Sequence, residues 1–339
     1  MSDLILVTGG SGYVASWCIA TLLERGYRVR TTVRTPAKQD AVRAAVARAG
    51  VTTERLEFAT ADLLSDDGWP EAVAGCDAVL HVASPLTATK DEDEVIRPAV
   101  DGTLRVLRAA RDGGARRVVY TSSCGAVYYG HPSRTAPFDE DDWTVIDGGP
   151  MSAYVKSKAL AERAAWDFMA EQGGDLELAV VNPAGIFGPA LNPESASSLG
   201  IVRRLMAGMP GIPDLRMGIV DVRDVADLHV RALESPAAAG ERFIAWSGGP
   251  VSLREIAGLL RERLGDSAVP SIRSAPTWLI RILGRFSTEI GDLVPLLGQA
   301  RTATSEKARR MLGWEPRPWQ DTMADSARSL QDLGLIPAR

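Results

Sequence analysis

Leu4-Ile5-Leu6-Val7-Thr8-Gly9-Gly10-Ser11-Gly12-Tyr13-Val14-Ala15 is the stretch on which the fold turns. Its first four residues are wholly apolar, which predicts a strand buried on both faces, as in a parallel sheet. Tyr13 to Arg25 then carries apolar Val14, Cys18, Ile19, Leu22 and Leu23 at helical spacing, with Gly26 as a stop. Arg28 to Val33 is a second strand candidate. Strand, glycine turn, helix and strand in that order make a βαβ unit. Within the turn, Gly9 permits the tight bend and Gly12 lets the backbone approach a pyrophosphate at the helix N-terminus. The spacing departs from the G-x-G-x-x-G fingerprint, and Ala15 stands where that fingerprint has a third small residue.

The end of the second strand indicates which dinucleotide. An NAD site places a carboxylate there for the ribose hydroxyls, whereas an arginine accommodates a 2′-phosphate. Here the sequence reads Val33-Arg34-Thr35-Pro36-Ala37-Lys38, with no carboxylate until Asp40. Two cations suit two negative charges, and Arg34 can bond a phosphate bidentately. NADP(H) is therefore expected over NAD(H).

Strand candidates recur at Leu56 to Thr60, Ala78 to Pro85, Arg116 to Tyr120 and Leu176 to Val181, with helices at Val95 to Arg111 and Ser152 to Met169. This alternation predicts an α/β fold, a Rossmann-type doubly wound parallel sheet. Ligands in such sheets sit beyond the carboxyl ends of the strands, where Ser84 and Thr121-Ser122-Ser123 fall. After Pro189 the pattern loosens into Pro-, Gly-, Ser- and Met-rich sequence. Helical pieces follow at Leu199 to Ala207, Val220 to Glu234 and Leu253 to Leu264, with a strand at Arg242 to Trp246. Thr277 to Phe286 is apolar enough to pack, and Ser305 to Leu335 holds two short helices around Trp314 and Trp319. The expected division is a nucleotide-binding domain of residues 1–190 plus about 219–249, and a smaller, irregular C-terminal substrate-binding lobe of about 191–218 plus 250–339.

Tyr154 and Lys158 are four apart, so on a helix they share a face. An ammonium near a phenol favours the phenolate and lowers its pKa. A tyrosine so placed can exchange a proton closer to neutral pH.

Composition narrows the classes. The 339 residues are 45% apolar and 24% charged, ordinary for a soluble globular protein. A net charge of −5 without a long basic run argues against nucleic acid or an anionic membrane as the main partner. Neither a signal peptide nor an apolar run of ~20 residues is present, so a cytoplasmic protein is expected. Three scattered cysteines, Cys18, Cys76 and Cys124, exclude a disulfide framework, and dispersed His81, His131 and His229 predict no metal site. No Gly-x-Ser-x-Gly elbow marks a hydrolase. Asp221 and Asp224 are expected to cap the helix they begin.

Taken together, Thr8-Gly9-x-x-Gly12-Tyr13, Asp62-Leu63, Thr121-Ser122-Ser123, Tyr154-x-x-x-Lys158 and Asn182-Pro183 resemble the short-chain dehydrogenase/reductase family in its extended form. Thr32-Val33-Arg34, His81-Val82-Ala83-Ser84-Pro85 and Thr121 to Val127 are most similar to its dihydroflavonol reductase-like branch. The resemblance implies Tyr154 as general acid/base, Lys158 as its activator and a ribose ligand, and Ser123 as a hydrogen-bond partner of the substrate carbonyl. It implies that Gly9, Gly12, Tyr13 and Val14 hold the pyrophosphate, with Arg34 and Lys38 on the 2′-phosphate. Asp62 and Leu63 would bracket the adenine, and Val82, Ala83, Pro183 and Ile186 would line the nicotinamide side.

The expected function is reversible, NADPH-dependent reduction of an aldehyde or ketone by a monomer or homodimer. Ser84, Leu86, Cys124, Val127, Tyr128, Phe187, Leu199 and Met206 suggest a largely apolar pocket suited to hydrophobic or aromatic carbonyls. Met151-Ser152-Ala153 is not the coenzyme-A reductase signature, and Asp101 falls where many relatives have Asn. An NAD-dependent sugar-nucleotide epimerase or dehydratase and a non-catalytic NADP(H) sensor are the rival readings. Arg34 counts against the first, and the joint presence of Ser123, Tyr154 and Lys158 against the second.

Overall fold

The computed structural model describes residues 4–85, 89, 91–194, 198–265, 269, 271–287, 291 and 293–336. Its centre is a seven-stranded, all-parallel sheet. The strands are β1 (Leu4–Val7), β2 (Arg28–Val33), β3 (Leu56–Thr60), β4 (Ala78–His81), β5 (Arg117–Thr121), β6 (Glu177–Pro183) and, much later in the chain, β10 (Arg242–Ala245). Their spatial order is β10-β6-β5-β4-β1-β2-β3. Order therefore reverses between β1 and β4, the switch point at which such sheets bind ligands.

Strand sequences explain the layers. Ile5 and Val7 point into one core while Leu4 and Leu6 point into the other. The same alternation holds for Leu80 against Val79 and for Val119 against Val118, as period-2 geometry requires. On the first face pack α1 (Tyr13–Glu24), α2 (Gln39–Arg48) and α7 (Val222–Glu234). On the second lie α3 (Trp69–Val73), α4 (Glu92–Asp112) and α5 (Ala153–Gln172). Ser152 starts α5, its hydroxyl accepting the Val155 N–H at 3.3 Å, and this sets the rotation of Tyr154 and Lys158.

A second apolar cluster lies among the later elements. It joins α6 (Gly200–Ala207), α8 (Leu253–Leu264) and α11 (Trp319–Asp332) through Leu205, Ile256, Leu260, Met323 and Leu330. A capping box between Ser252 and Glu255 opens α8. Between β6 and β10 the chain adds β7 (Gly185–Phe187), β8 (Arg216–Met217) and β9 (Ile219–Asp221). β7 pairs with β9, and β8 pairs with β11 (Val251–Ser252). Asp221 caps α7 through Arg223 N at 2.9 Å, as expected. Asp224 does something else: it accepts the Arg317 N–H at 2.7 Å and pairs with that guanidinium, tying down the chain after α10 (Glu306–Leu312).

One packing expectation holds only in part. Within Thr277 to Phe286, α9 (Thr277–Leu283) fully buries no residue, and Trp278 and Phe286 are 64% and 85% exposed. Half-buried Ile280 packs against the second cluster, which α6, α8 and α11 help to form.

Candidate active site

The switch point is built from Thr8. Its hydroxyl accepts the N–H groups of Val82 and Ala83 at 3.0 and 2.9 Å and meets His81 Nδ1 at 3.0 Å. The ends of β1 and β4 are thereby fastened together. Gly9 follows with φ +72°, and a Cβ placed there would come within 2.9 Å of the Ala83 Cβ. Gly9 N donates to Thr32 Oγ1 at 2.8 Å and Gly10 N to Thr32 O at 2.9 Å. Ser16 reaches back to the carbonyls of Gly10 and Gly12 at 3.2 and 2.9 Å, so the loop is held from both sides.

Gly12 is extended and provides no side-chain cap, so the first N–H groups of α1 stay open for an anion. This fits a dinucleotide pyrophosphate, which needs close backbone approach and free donors. Val14 is half-buried at that first turn, whereas the Tyr13 side chain is not part of the cradle. It packs into the second cluster and donates to Gly188 O at 2.7 Å, which leaves the backbone N–H of Tyr13 as its group at the turn.

Arg34 stands exposed at the end of β2. Lys38, further along after Pro36, is ion-paired with Glu194 at 2.6 Å. The Asp62 carboxylate accepts Leu64 N at 3.0 Å, and Leu63 lies half-buried against Gly102. Asp101 is exposed on α4 and lines a surface cleft with Leu63 and Leu64, just beyond the end of β3.

At the end of β5, Ser123 accepts the Gly125 N–H at 2.9 Å and faces the Tyr154 hydroxyl. Burial pushes the Tyr154 phenol above its ordinary pKa, and the hydrogen bond from Ser123 opposes this. The side chain is nonetheless 45% exposed, so its ring stands open while its hydroxyl surroundings are dense. Lys158 is buried and donates to Thr121 O at 3.4 Å. Burial pulls its pKa down to about 8, and Glu162 acts in the opposite direction.

Burial thus raises the Tyr154 phenol, with Tyr129 and Cys124 acting in the same direction, while the Lys158 ammonium reaches the strand end at Thr121 O.

The apolar pocket expectation also changes. Cys124, Val127, Phe187, Leu199 and Met206 are all 4% exposed or less and belong to the packed clusters, or in the case of Cys124 donate to Asn182 O at 3.3 Å. Side chains with so little free surface have no face left for a ligand. Ser84, Tyr128 and Ile186 remain half-buried, Val82 and Ala83 likewise, while Pro183 is buried at the end of β6; Leu86 lies outside the described residues.

Several residues at the site had no assigned role in the sequence reading. Glu162 is fully buried and collects hydrogen bonds from Ser122, Asn182 and Arg242. Its signal was its position, four after Lys158 on the same helix face. Asn182 also donates to Ser123 O at 3.2 Å. Among the described residues, no group of three or more His, Cys, Asp or Glu is placed to hold a metal, and no helix is long and apolar enough to cross a membrane.

A family model described as the NAD dependent epimerase/dehydratase family matches residues 5–245. The chain belongs to that family, the extended short-chain dehydrogenases/reductases. Among its relatives, the dihydroflavonol 4-reductase of Zea mays is 35% identical over 98% of this chain and 90% of that protein. Cinnamoyl-CoA reductase 2 of Arabidopsis thaliana is 34% identical over 98% of this chain and 94% of that protein. In fold, the extended family member resembles yeast methylglyoxal/isovaleraldehyde reductase, crystallised with NADPH, at a TM-score of 0.81. The two are 24% identical, over 98% of this chain and 100% of the yeast one.

Proposed function

We propose that this chain is an NADPH-dependent carbonyl reductase that converts a hydrophobic aldehyde or ketone to an alcohol. The observation that carries the reading is the meeting of Ser123 and Tyr154 at the carboxyl end of β5, in the sheet whose glycine turn is shaped for a dinucleotide. The relatives' names support it, since those proteins are called reductases of dihydroflavonol and of cinnamoyl-CoA.

In this reading Gly9, Gly12 and the first turn of α1 receive the pyrophosphate, with Asp62 and Leu63 at the adenine. Arg34 takes the 2′-phosphate, joined by Lys38 once it leaves Glu194. Val82, Ala83, Pro183 and Ile186 border the nicotinamide side. NADPH, when bound, supplies the hydride that a carbonyl carbon receives.

Ser123 donates to the carbonyl oxygen and holds it against the Tyr154 hydroxyl. Tyr154 protonates that oxygen as it becomes an alkoxide. Its raised pKa keeps the phenol protonated at neutral pH, as the direction of reduction needs. Lys158, still largely charged at neutral pH with a pKa of about 8, contacts the cofactor ribose and supplies positive charge to the proton-transfer site. Ser84 and Tyr128 stay half-buried and open to the substrate side.

The test is oxidation of NADPH and NADH, side by side, against aromatic aldehydes, α-ketoesters and diketones. NADPH oxidation well above NADH, with an alcohol product, is expected. Binding of NADPH with no oxidation across the panel would overturn the reductase reading. The family model's name favours a second reading, an NAD-dependent epimerase or dehydratase. Arg34, standing where such a site needs a carboxylate, opposes it, and tightly held NAD in the purified protein would reverse the preference.

A further inference from the structure

Glu162 lies on α5 one turn beyond Lys158 and two beyond Tyr154, with none of its surface exposed. Its Oε2 accepts from the Ser122 hydroxyl at 2.5 Å and the Asn182 amide at 2.7 Å. Its Oε1 accepts from Arg242 Nε at 2.6 Å and the Trp166 indole at 3.5 Å. One carboxylate therefore joins the ends of β5 and β6, and the start of β10, to the helix that carries Tyr154 and Lys158. Arg242 is itself buried, donating to Glu140 O at 2.7 Å and Asp142 O at 2.9 Å above the Trp143 ring.

We propose that Glu162 is a positioning residue for the reduction: its buried carboxylate, balanced by Arg242, keeps the Lys158 ammonium charged and locks the strand end that presents Ser123. The proposal rests on the reading of Lys158 as a ligand of the cofactor ribose. Its physical basis is that a buried ammonium needs a counter-charge, and the hydrogen bond Lys158 makes among the described residues is to a carbonyl at 3.4 Å.

The other ionisable groups around this node do not titrate near Lys158. His81 on β4 and His229 on α7 are pulled down by burial to about 3 and about 4, so both are neutral in the working range. Burial pushes up Tyr120 on β5, Cys124 after it, Tyr154 on α5 and Glu140 before it, whose carboxylate accepts Ile244 N at 2.9 Å. Arg242, from β10, sets its guanidinium 2.6 Å from the Glu162 carboxylate.

The signs follow. Glu162→Gln leaves Lys158 beside an unbalanced Arg242, which favours the neutral amine. Arg242→Gln leaves the carboxylate unopposed, which favours the ammonium.

The experiment is NADPH affinity by fluorescence titration of the purified protein from about pH 6 to about pH 10, for wild type and both variants. Wild-type affinity is expected to weaken as pH rises through about 8. The midpoint moves down by about one pH unit in Glu162→Gln and up by a similar amount in Arg242→Gln. Both substitutions break the same buried ion pair, so a merely structural role moves the two midpoints together. Unmoved midpoints, or moves of the same sign, overturn the proposal.

If Glu162→Gln does not fold, Arg242→Gln decides alone: an upward move supports the proposal and an unmoved midpoint overturns it. The readout requires no carbonyl. Binding without any pH dependence in wild type removes the Glu162 proposal and leaves the reductase reading standing. Opposite midpoint shifts with no carbonyl reduced do the reverse. No NADPH binding by wild type overturns both.

Discussion

The Lys158 ammonium lies 3.4 Å from the Thr121 carbonyl oxygen, on the strand that delivers Ser123 and one turn along α5 from Tyr154. Holding a cation there costs stability. Unfolded, this lysine titrates near 10.5; folded, near about 8. Between those values the unfolded chain binds more protons, so stability rises with pH across that window and the full cost is present below it. Lys158→Met should therefore raise unfolding stability at neutral pH by on the order of 1–3 kcal/mol while removing turnover, as denaturant unfolding and an activity assay will read.

Tyr154→Phe keeps the ring and deletes the proton donor. Turnover should fall by roughly 10²–10⁴-fold or more, with NADPH affinity changed no more than a few-fold. Steady-state rates beside a binding titration check this, and wild-type turnover would remove Tyr154 from the chemistry.

Gly9→Ala places a Cβ 2.9 Å from that of Ala83, on a backbone with φ +72°. The strain is of the order of 1–3 kcal/mol and falls where the cofactor must approach closest. A drop in both thermal midpoint and NADPH affinity is expected. Gly50, also at positive φ but with open space around it, is the control that should lose stability alone.

Arg34→Ala should weaken NADPH roughly 10-fold or more and leave NADH nearly unchanged, because only the former carries a 2′-phosphate. Glu194→Gln frees Lys38 from an exposed pair and should tighten NADPH by no more than a few-fold. Paired affinities for both cofactors decide each case.

Trp278→Ser and Phe286→Ser should each change unfolding stability by no more than about 0.5 kcal/mol, since both side chains are mostly exposed. A loss of several kcal/mol in either would mean that the segment is packed after all.

The sheet was legible because its strands are buried on both faces: Leu4–Val7 and the Ala78-Val79-Leu80 run are short and apolar, and their alternation with helices marks them as parallel strands. The glycine turn and the shared face of Tyr154 and Lys158 were legible from local spacing, whereas the place of Ser123 came from the family resemblance, because β5 and α5 meet only in the folded chain. Burial by partners distant in sequence was not legible. Leu199 and Met206 read as pocket walls although they lie inside the second cluster, and the run Thr277 to Phe286 read as packed although Trp278 and Phe286 stay exposed. Lys158 shows the same limit in electrostatics. Its spacing from Tyr154 is a property of one helix, but the Thr121 carbonyl and Glu162 compete for its charge in three dimensions.

β10 completes the sheet beside β6, Arg242 opposite Val180 and Ala245 opposite Pro183, although β7 to α7 intervene in the chain. A ribosome therefore releases six strands and the whole glycine turn before the seventh exists. Until Arg242 emerges, the outer edge of β6 is a bare row of amides and carbonyls, open to pairing with any neighbouring strand. Glu162 meanwhile waits in a half-built interior without its cation. Translation order thus makes the arrival of one short strand the event that shifts the open edge from β6 to β10, where Glu140 and Ser305 cover the Ile244 and Trp246 N–H groups, and that gives Glu162 its cation.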